Sequence, residues 1–250
     1  MTSPAPKPPS AAHRSPIQGT WEKLSPTWGT VGSTRCPLHF DDPQREREIA
    51  SAVALADLSM LRKVGVKGPG STAWLRDIGL NLPDRVYGCH DSETDGLVAR
   101  VDQGEFFIEA GLTAAGFSAG AVDRVAEGLE RGVPGASRVD RQDAGLLLCG
   151  QDAHKVIEQT CGYDFEHGHG TRRDESVIVM TRVAAVSVAV RLFNLKPDCE
   201  SSNVPAFRIW TAPSYGVYLW EALLEIVRDL GGGPVGLGAF GFASSQPAED

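Results

Sequence analysis

The 250-residue chain has no C-x-x-C pair, no G-x-S-x-G turn, no glycine loop ending in Lys-Ser or Lys-Thr, and no surplus of basic residues. Each absence removes a class of function. The five cysteines (Cys36, Cys89, Cys149, Cys161 and Cys199) are odd in number and widely separated. That excludes a disulfide framework and gives no zinc-ligand spacing, so buried thiols are expected. A net charge of −8 leaves no basic face to neutralise phosphates, which excludes a broad nucleic-acid footprint. No apolar run approaches the roughly 20 residues that cross a bilayer. The N-terminal basic residues have no apolar stretch behind them, so no secretory signal is read there and the expected location is the cytoplasm. Without a nucleophile elbow or a phosphate loop, the usual hydrolase and nucleotide-dependent chemistries find no residues to carry them.

What is present is uneven. Eight of the sixteen prolines fall in residues 1–43. Residues 1–16, "MTSPAPKPPSAAHRSP", have almost nothing to bury and read as a disordered tail. Residues 17–43 hold Trp21, Leu24, Trp28 and Phe40 with little periodicity, and read as an irregular arm. Trp21 and Trp28 are candidates for docking a partner, with packing on their own domain the other reading. Order begins with a helix at "DDPQREREIASAVALADLS", with Asp42 as cap, Pro43 at the first helical position, and Ile49, Val53 and Leu55 on one side. "MLRKVGVKG" reads as extended and "PGSTAWLRDIG" as helical. "DGLVARV" and "EFFIEAG" read as a hairpin about Asp102-Gln103-Gly104. A helix follows in "GAVDRVAEGLERG", then "GLLLCG" extended and "QDAHKVIEQTCG" helical. "ESVIVMTRVAAVSVAVRLF" predicts two strands with a tight bend, and "AFRIWTA" one more. "SYGVYLWEALLEIVRDLGG" is a helix with Trp220, Leu223, Val227 and Leu230 on one face. Residues 241–250 read as a frayed tail. Hairpins outnumber long crossovers, so the fold class is α+β with mainly antiparallel sheets.

"VKGPGSTAWL" from Val66 and "LCGQDAHKVI" from Leu148 share one pattern, with Gly68 and Gly150 in register 82 residues apart. Neither has the Lys-Ser/Thr of a phosphate loop, and Asp152 stands where an anion would sit, as a cap for its own helix. The pair reads as one strand-turn-helix unit used in each half. "GGGPVGLGAFG" follows a helix and opens none, which removes it as a dinucleotide fingerprint. "HGHG" (His167 to Gly170) has no acid or thiol at ligand spacing, so no metal site is expected. Asp91, Glu93 and Asp95 in "HDSETDG" read as a solvated turn.

The residues "ADLSMLRKVGVKGPGSTAWL", "GLLLCGQDAHKVI" and "YLWEALLEIVRDLGGGPVGLGA" stand in an order that resembles the aminomethyltransferase family, the T-protein of glycine cleavage. The resemblance covers about residues 55–239 and implies two similar antiparallel-sheet and helix subdomains of a folate-binding fold, in residues 44–240. The departures carry the functional reading. The family's "T-G-E" glutamate, which helps hold the pterin of tetrahydrofolate, has no counterpart between Arg208 and Trp220. The family's C-terminal β-domain is lacking. Its "D-D-L" aspartate matches Asp95, the weak candidate for a catalytic residue, and the second acid is Gly96. Together these departures resemble the gamma subunit of heterotetrameric sarcosine oxidase.

That resemblance implies an accessory, non-catalytic subunit of a flavin-dependent N-methyl amine oxidase or demethylase in one-carbon metabolism. Flavoprotein subunits would be its partners and would hold the flavin, and no cofactor is expected on this chain. The alternative is a self-contained tetrahydrofolate-dependent transferase. A folate-binding assembly factor ranks behind both, because its "K-G-C-Y-x-G-Q-E" motif is absent. A pterin site that loses its carboxylate loses the partner of the ring's N–H edge, which favours the subunit reading.

Overall fold

The computed structural model describes residues 15–31, 34–92, 96–111, 120–165, 177–195 and 203–241. The N-terminal segment is more regular than its sequence suggests. Helix α1 (Gln18–Trp21) runs into a 3-10 turn (Glu22–Leu24), and strands β1 (Thr27–Val31) and β2 (Thr34–His39) pair antiparallel. Ile17 and Trp21, one helical turn apart, are both fully buried in the main core. Ser15 is also buried, and its hydroxyl donates to the Asp57 carboxylate. Residues 15–16 therefore do not belong to a disordered tail, and 17–43 is not an irregular arm. The anchoring apolar residues are only four apart, too few to show a period.

Helix α2 (Pro43–Ala52) starts as its sequence dictates, with the Asp42 carboxylate accepting from the backbone N–H of Gln44 and Arg45. It stops before Val53, whose φ of −159° is extended, and β3 (Ala54–Asp57) follows. This corrects the longer helix expected through Leu55. Val53 and Leu55 face one core while Ala54 and Ala56 face another. A strand covered on both faces shows no alternation of polarity, so nothing in its composition separates it from the helix before it.

The larger sheet has six strands: β3, β9 (Ala144–Cys149), β10 (Val179–Val183), β11 (Val186–Leu195), β12 (Val204–Thr211) and β13 (Gly233–Pro234), in spatial order β10-β11-β12-β9-β3-β13. Its pairings are antiparallel except for β13 beside β3. Helices α5 (Ala153–Thr160) and α6 (Gly216–Asp229) pack on one face, where Trp220 and Leu223 meet Leu146 and Leu148. The other face is covered by the β1–β2 hairpin, α2 and a 3-10 turn at Leu237–Phe240. The second sheet, β4 (Lys63–Lys67), β5 (Cys89–Ser92), β6 (Gly96–Asp102), β7 (Glu105–Glu109) and β8 (Ser137–Val139), has the order β5-β6-β7-β4-β8. Helices α3 (Ser71–Asp77) and α4 (Ala121–Glu130) close one of its faces through Leu75, Val122 and Val125. Its opposite face meets the larger sheet, with Phe107, Leu97 and Ala99 packing against Trp210 and Ile178.

The α+β class and the repeated unit are what the chain adopts. β4 turns into α3 at Gly68 (φ +139°), and β9 turns into α5 at Gly150 (φ +109°). A Cβ would lie 2.2 Å from the Gly135 carbonyl oxygen at the first and 2.4 Å from that of Ala52 at the second, so neither turn admits a side chain. In both, the glycine carbonyl accepts from the N–H three residues on, in Ser71 and Ala153, at 3.1 Å. Asp152 does not cap α5 with its side chain; it pairs instead with Lys155 Nζ at 2.8 Å. The tight bend between β10 and β11 falls at Ala184 and Ala185, both with positive φ. "CHDS", where a solvated turn was expected, is an edge strand paired antiparallel with β6, and Asp91 on it pairs with Arg191 of the larger sheet. Among the described residues no helix is long and apolar enough to cross a membrane.

Candidate functional site

Two features lie where the sheets meet: a buried ionic cluster and an open cleft beside it. The cluster is centred on Glu109, the last residue of β7, which is 3% exposed. Arg208 of β12 reaches across the interface, donating from Nη2 to Oε1 at 2.8 Å and from Nε to Oε2 at 3.1 Å. Trp210 Nε1 donates to the same Oε1 at 3.0 Å, and Lys63 Nζ lies 3.5 Å from it. Burial alone pushes the Glu109 carboxyl up, but Arg208 and Lys63 beside it, with the hydrogen bonds from Arg208 and Trp210, hold it below the ordinary carboxylate range. Burial lowers Lys63, against the attraction of Glu109. Its Nζ also donates to the carbonyls of Ser59 and Leu61. Next to it, burial raises Asp57, opposed by hydrogen bonds from Ser15 and Ser59. A second inter-sheet ion pair, Arg191 to Asp91 at 2.8 Å, lies at the edge.

The cleft has a volume of about 620 Å³, within the range of small-molecule sites. Its floor is Phe107 and Trp210, edge to face with centroids 5.7 Å apart. Tyr87 and Met180 form an exposed rim. The polar wall includes Arg141, whose guanidinium sits 4.9 Å from the Phe107 centroid, and Asp143, whose Oδ2 is 3.4 Å from Arg141 Nε. Neither of those two atoms makes a hydrogen bond.

Of the candidate functional residues singled out in the sequence, the described ones do not line this cleft. Asp95 and Glu93 lie outside the described residues, as do Cys199 and the His167 to Gly170 turn. Trp21 is 1% exposed in the main core, with its ring 5.7 Å from that of Trp28, and so offers no surface to a partner. Its burial follows from its place on α1, facing α6. Trp28 is half-buried under the Arg35 guanidinium, 4.2 Å from its ring. Cys36, Cys89, Cys149 and Cys161 are buried, and burial pushes the Cys89 thiol up to about 11 and that of Cys149 up to about 12. Among the described residues no three His, Cys, Asp or Glu side chains converge as ligands for a metal ion.

Glu109 and Arg208 were missed in the sequence, and a signal for them existed. "FFIEA" places an acid directly after three large apolar residues, and "AFRIW" places a base inside another apolar strand. A charge in a run of buried residues needs a counter-charge from elsewhere in the fold.

No family model matches the chain, and no curated protein matches it in sequence. Solved structures do match. The glycine cleavage system aminomethyltransferase T from Bartonella henselae superposes with a TM-score of 0.64 at 19% identity, over 90% of this chain and 59% of that one. A heterotetrameric sarcosine oxidase from Corynebacterium sp. U-96, in complex with pyrrole 2-carboxylate, superposes with a TM-score of 0.56 at 17% identity, over 87% of this chain and 96% of the matched chain. The chain thus spans 59% of the length of the aminomethyltransferase and shares the fold of both proteins.

Proposed function

We propose that this chain is a gamma-like, non-catalytic subunit of a flavin-dependent N-methyl amine oxidase or demethylase linked to tetrahydrofolate metabolism. In this reading the flavin belongs to a partner subunit and this chain holds no folate. The observation that carries it is the engagement of Glu109 by three hydrogen bonds and a further cation of its own chain. A pterin's N–H edge needs a carboxylate with free lone pairs. The buried carboxylate at the meeting of the sheets is taken up by Arg208, Trp210 and Lys63 of the same chain. Prising it free would leave the buried Arg208 without its carboxylate, a cost of several kcal/mol. The residues in the centre therefore do not fit tetrahydrofolate in the manner of a transferase. The extent of the match, 96% of one chain of a heterotetrameric sarcosine oxidase, supports the same reading.

One observation favours the alternative transferase. Asp143 and Arg141 line the cleft, and their buried Oδ2 and Nε atoms make no hydrogen bond within this chain. Titration calorimetry with tetrahydrofolate separates the two. The subunit reading expects no binding heat at millimolar ligand, and a flavin-absorbing partner co-purifying with the tagged chain from its native host. Micromolar binding that disappears in Asp143→Asn or Asp95→Ala overturns it in favour of the transferase.

A further inference from the structure

We propose that the proline-rich residues 1–14 dock in cis on the first turn of α6, across Tyr215 and Tyr218. Five large apolar side chains are exposed among the described residues, and three of them, Tyr215 (53%), Val217 (40%) and Tyr218 (54%), lie together at this turn. Tyr215 and Tyr218 are three positions apart and so share one side of it.

The point from which residues 1–14 leave is fixed beside this patch. Ser15 is pinned by its hydrogen bond to Asp57, and Ile17 is buried. A Cβ on Gly216, between the two tyrosines, would lie 3.0 Å from Ile17 Cγ2 and 3.6 Å from Pro16 Cβ. Pro16 and Ile17 thus lie at the start of α6, within a few residues of the two tyrosines.

Its composition suits that surface. Pro4, Pro6, Pro8 and Pro9 favour an extended polyproline conformation, which docks on aromatic-lined surfaces with little further loss of entropy. Lys7, His13 and Arg14 come with no acidic residue, while the exposed face of α6 continues past Tyr218 to Glu221 and Glu225. Fourteen residues at about 3.1 Å each reach roughly 43 Å. Tyr218 to Glu225 spans only about 10 Å along the helix. Covalent attachment supplies an effective concentration of about millimolar, enough for a weak contact to form.

The chain has four tyrosines, so ring-labelled tyrosine NMR gives four signals, assigned by single Tyr→Phe variants. In the full chain carrying Pro4→Ala, Pro6→Ala, Pro8→Ala and Pro9→Ala together, the Tyr215 and Tyr218 signals should shift while that of Tyr163 stays. Deleting residues 1–14, which leaves the Ser15 anchor in place, should shift the same two signals further. A synthetic peptide of residues 1–14 should return them to their full-length positions. Unchanged Tyr215 and Tyr218 signals in the truncated chain overturn the proposal. So does a shift that fades on dilution of the full chain, which would make the occupant a second copy.

Discussion

Replacing Glu109 by glutamine tests the ionic centre on which the functional reading rests. The substitution preserves volume and removes only the charge. Arg208, paired at 2.8 and 3.1 Å, then loses its carboxylate, and Lys63, at 3.5 Å, keeps only its attraction to Asp57 and Asp143. The glutamine N–H₂ must also face a donor on one side. Breaking a buried pair by removing one partner costs about 3–5 kcal/mol. For a domain of this size that lowers the melting temperature by roughly 6–20 °C, at about 2–4 °C per kcal/mol. Urea unfolding followed by far-ultraviolet circular dichroism, with the slope compared between variants, measures the loss. The pH dependence follows from the lowered Glu109 value. Its contribution is complete above the unfolded carboxylate pKa, about 4.3, and is lost as pH falls through the folded value. The gap between wild type and Glu109→Gln should therefore close in acid. A double change of Glu109→Leu and Arg208→Met, which removes the hydrogen-bonded pair together and leaves Lys63 with Asp57, should recover most of the loss. A cost for Glu109→Gln below about 1 kcal/mol at neutral pH would refute the picture of a saturated, load-sharing carboxylate.

Three further outcomes follow from the same packing. Asp57 is raised by burial, so its contribution runs opposite to that of Glu109: folding loses stability as pH rises from the unfolded value, about 3.9, through the folded one. Asp57→Asn should gain on wild type over that window in pH-dependent melting curves, and a gap independent of pH would contradict the burial. Gly68→Ala and Gly150→Ala force a Cβ into a carbonyl oxygen and should each cost more than Gly79→Ala, where φ is +86° but no atom lies within 4 Å. The last should lose only about 1–2 kcal/mol, that of a left-handed alanine, in chemical denaturation. Trp21→Ala should cost about 3–5 kcal/mol as a core truncation, and Trp28→Ala, half-exposed, clearly less; equal small losses would restore Trp21 as a surface residue.

The parts of the fold that were legible in the sequence are those with one wet face. Helix α6 places Trp220, Leu223 and Val227 inward and Glu221 and Glu225 outward, and its period of 3.6 survives in the sequence. Asp42-Pro43 and the positive-φ glycines act locally, so their chemistry reads without tertiary knowledge. The β3 strand and the N-terminal segment could not be read in this way. β3 is buried on both faces, and α1 is too short for a period, its place set by residues far away, Asp57 and Gly216. Glu109 and Arg208 are 99 residues apart. Each was visible as a charge in an apolar strand, but only the register of β7 against β4 and of β12 against β9 brings the two together.

The resemblance implies a "T-G-E" glutamate between Arg208 and Trp220, and the sequence has none there. A separate question is electrostatic: whether any carboxylate stands free where a ligand's donors would come. Glu109 shows why the two differ, since an acid can be present, central and still unavailable. Three donors from this chain converge on it at distances between 2.8 and 3.1 Å, and a fourth group stands at 3.5 Å. A ligand would have to displace at least one of these while adding its own desolvation. Such an exchange is unfavourable unless the ligand brings an equivalent cation. By contrast, Asp143 and Arg141 of the cleft wall hold one another at 3.4 Å without a hydrogen bond, so a ligand in the cleft would compete with one ion contact and not with a set of hydrogen bonds. That asymmetry makes Asp143→Asn, rather than any change at Glu109, the substitution that discriminates between a scaffold and an enzyme.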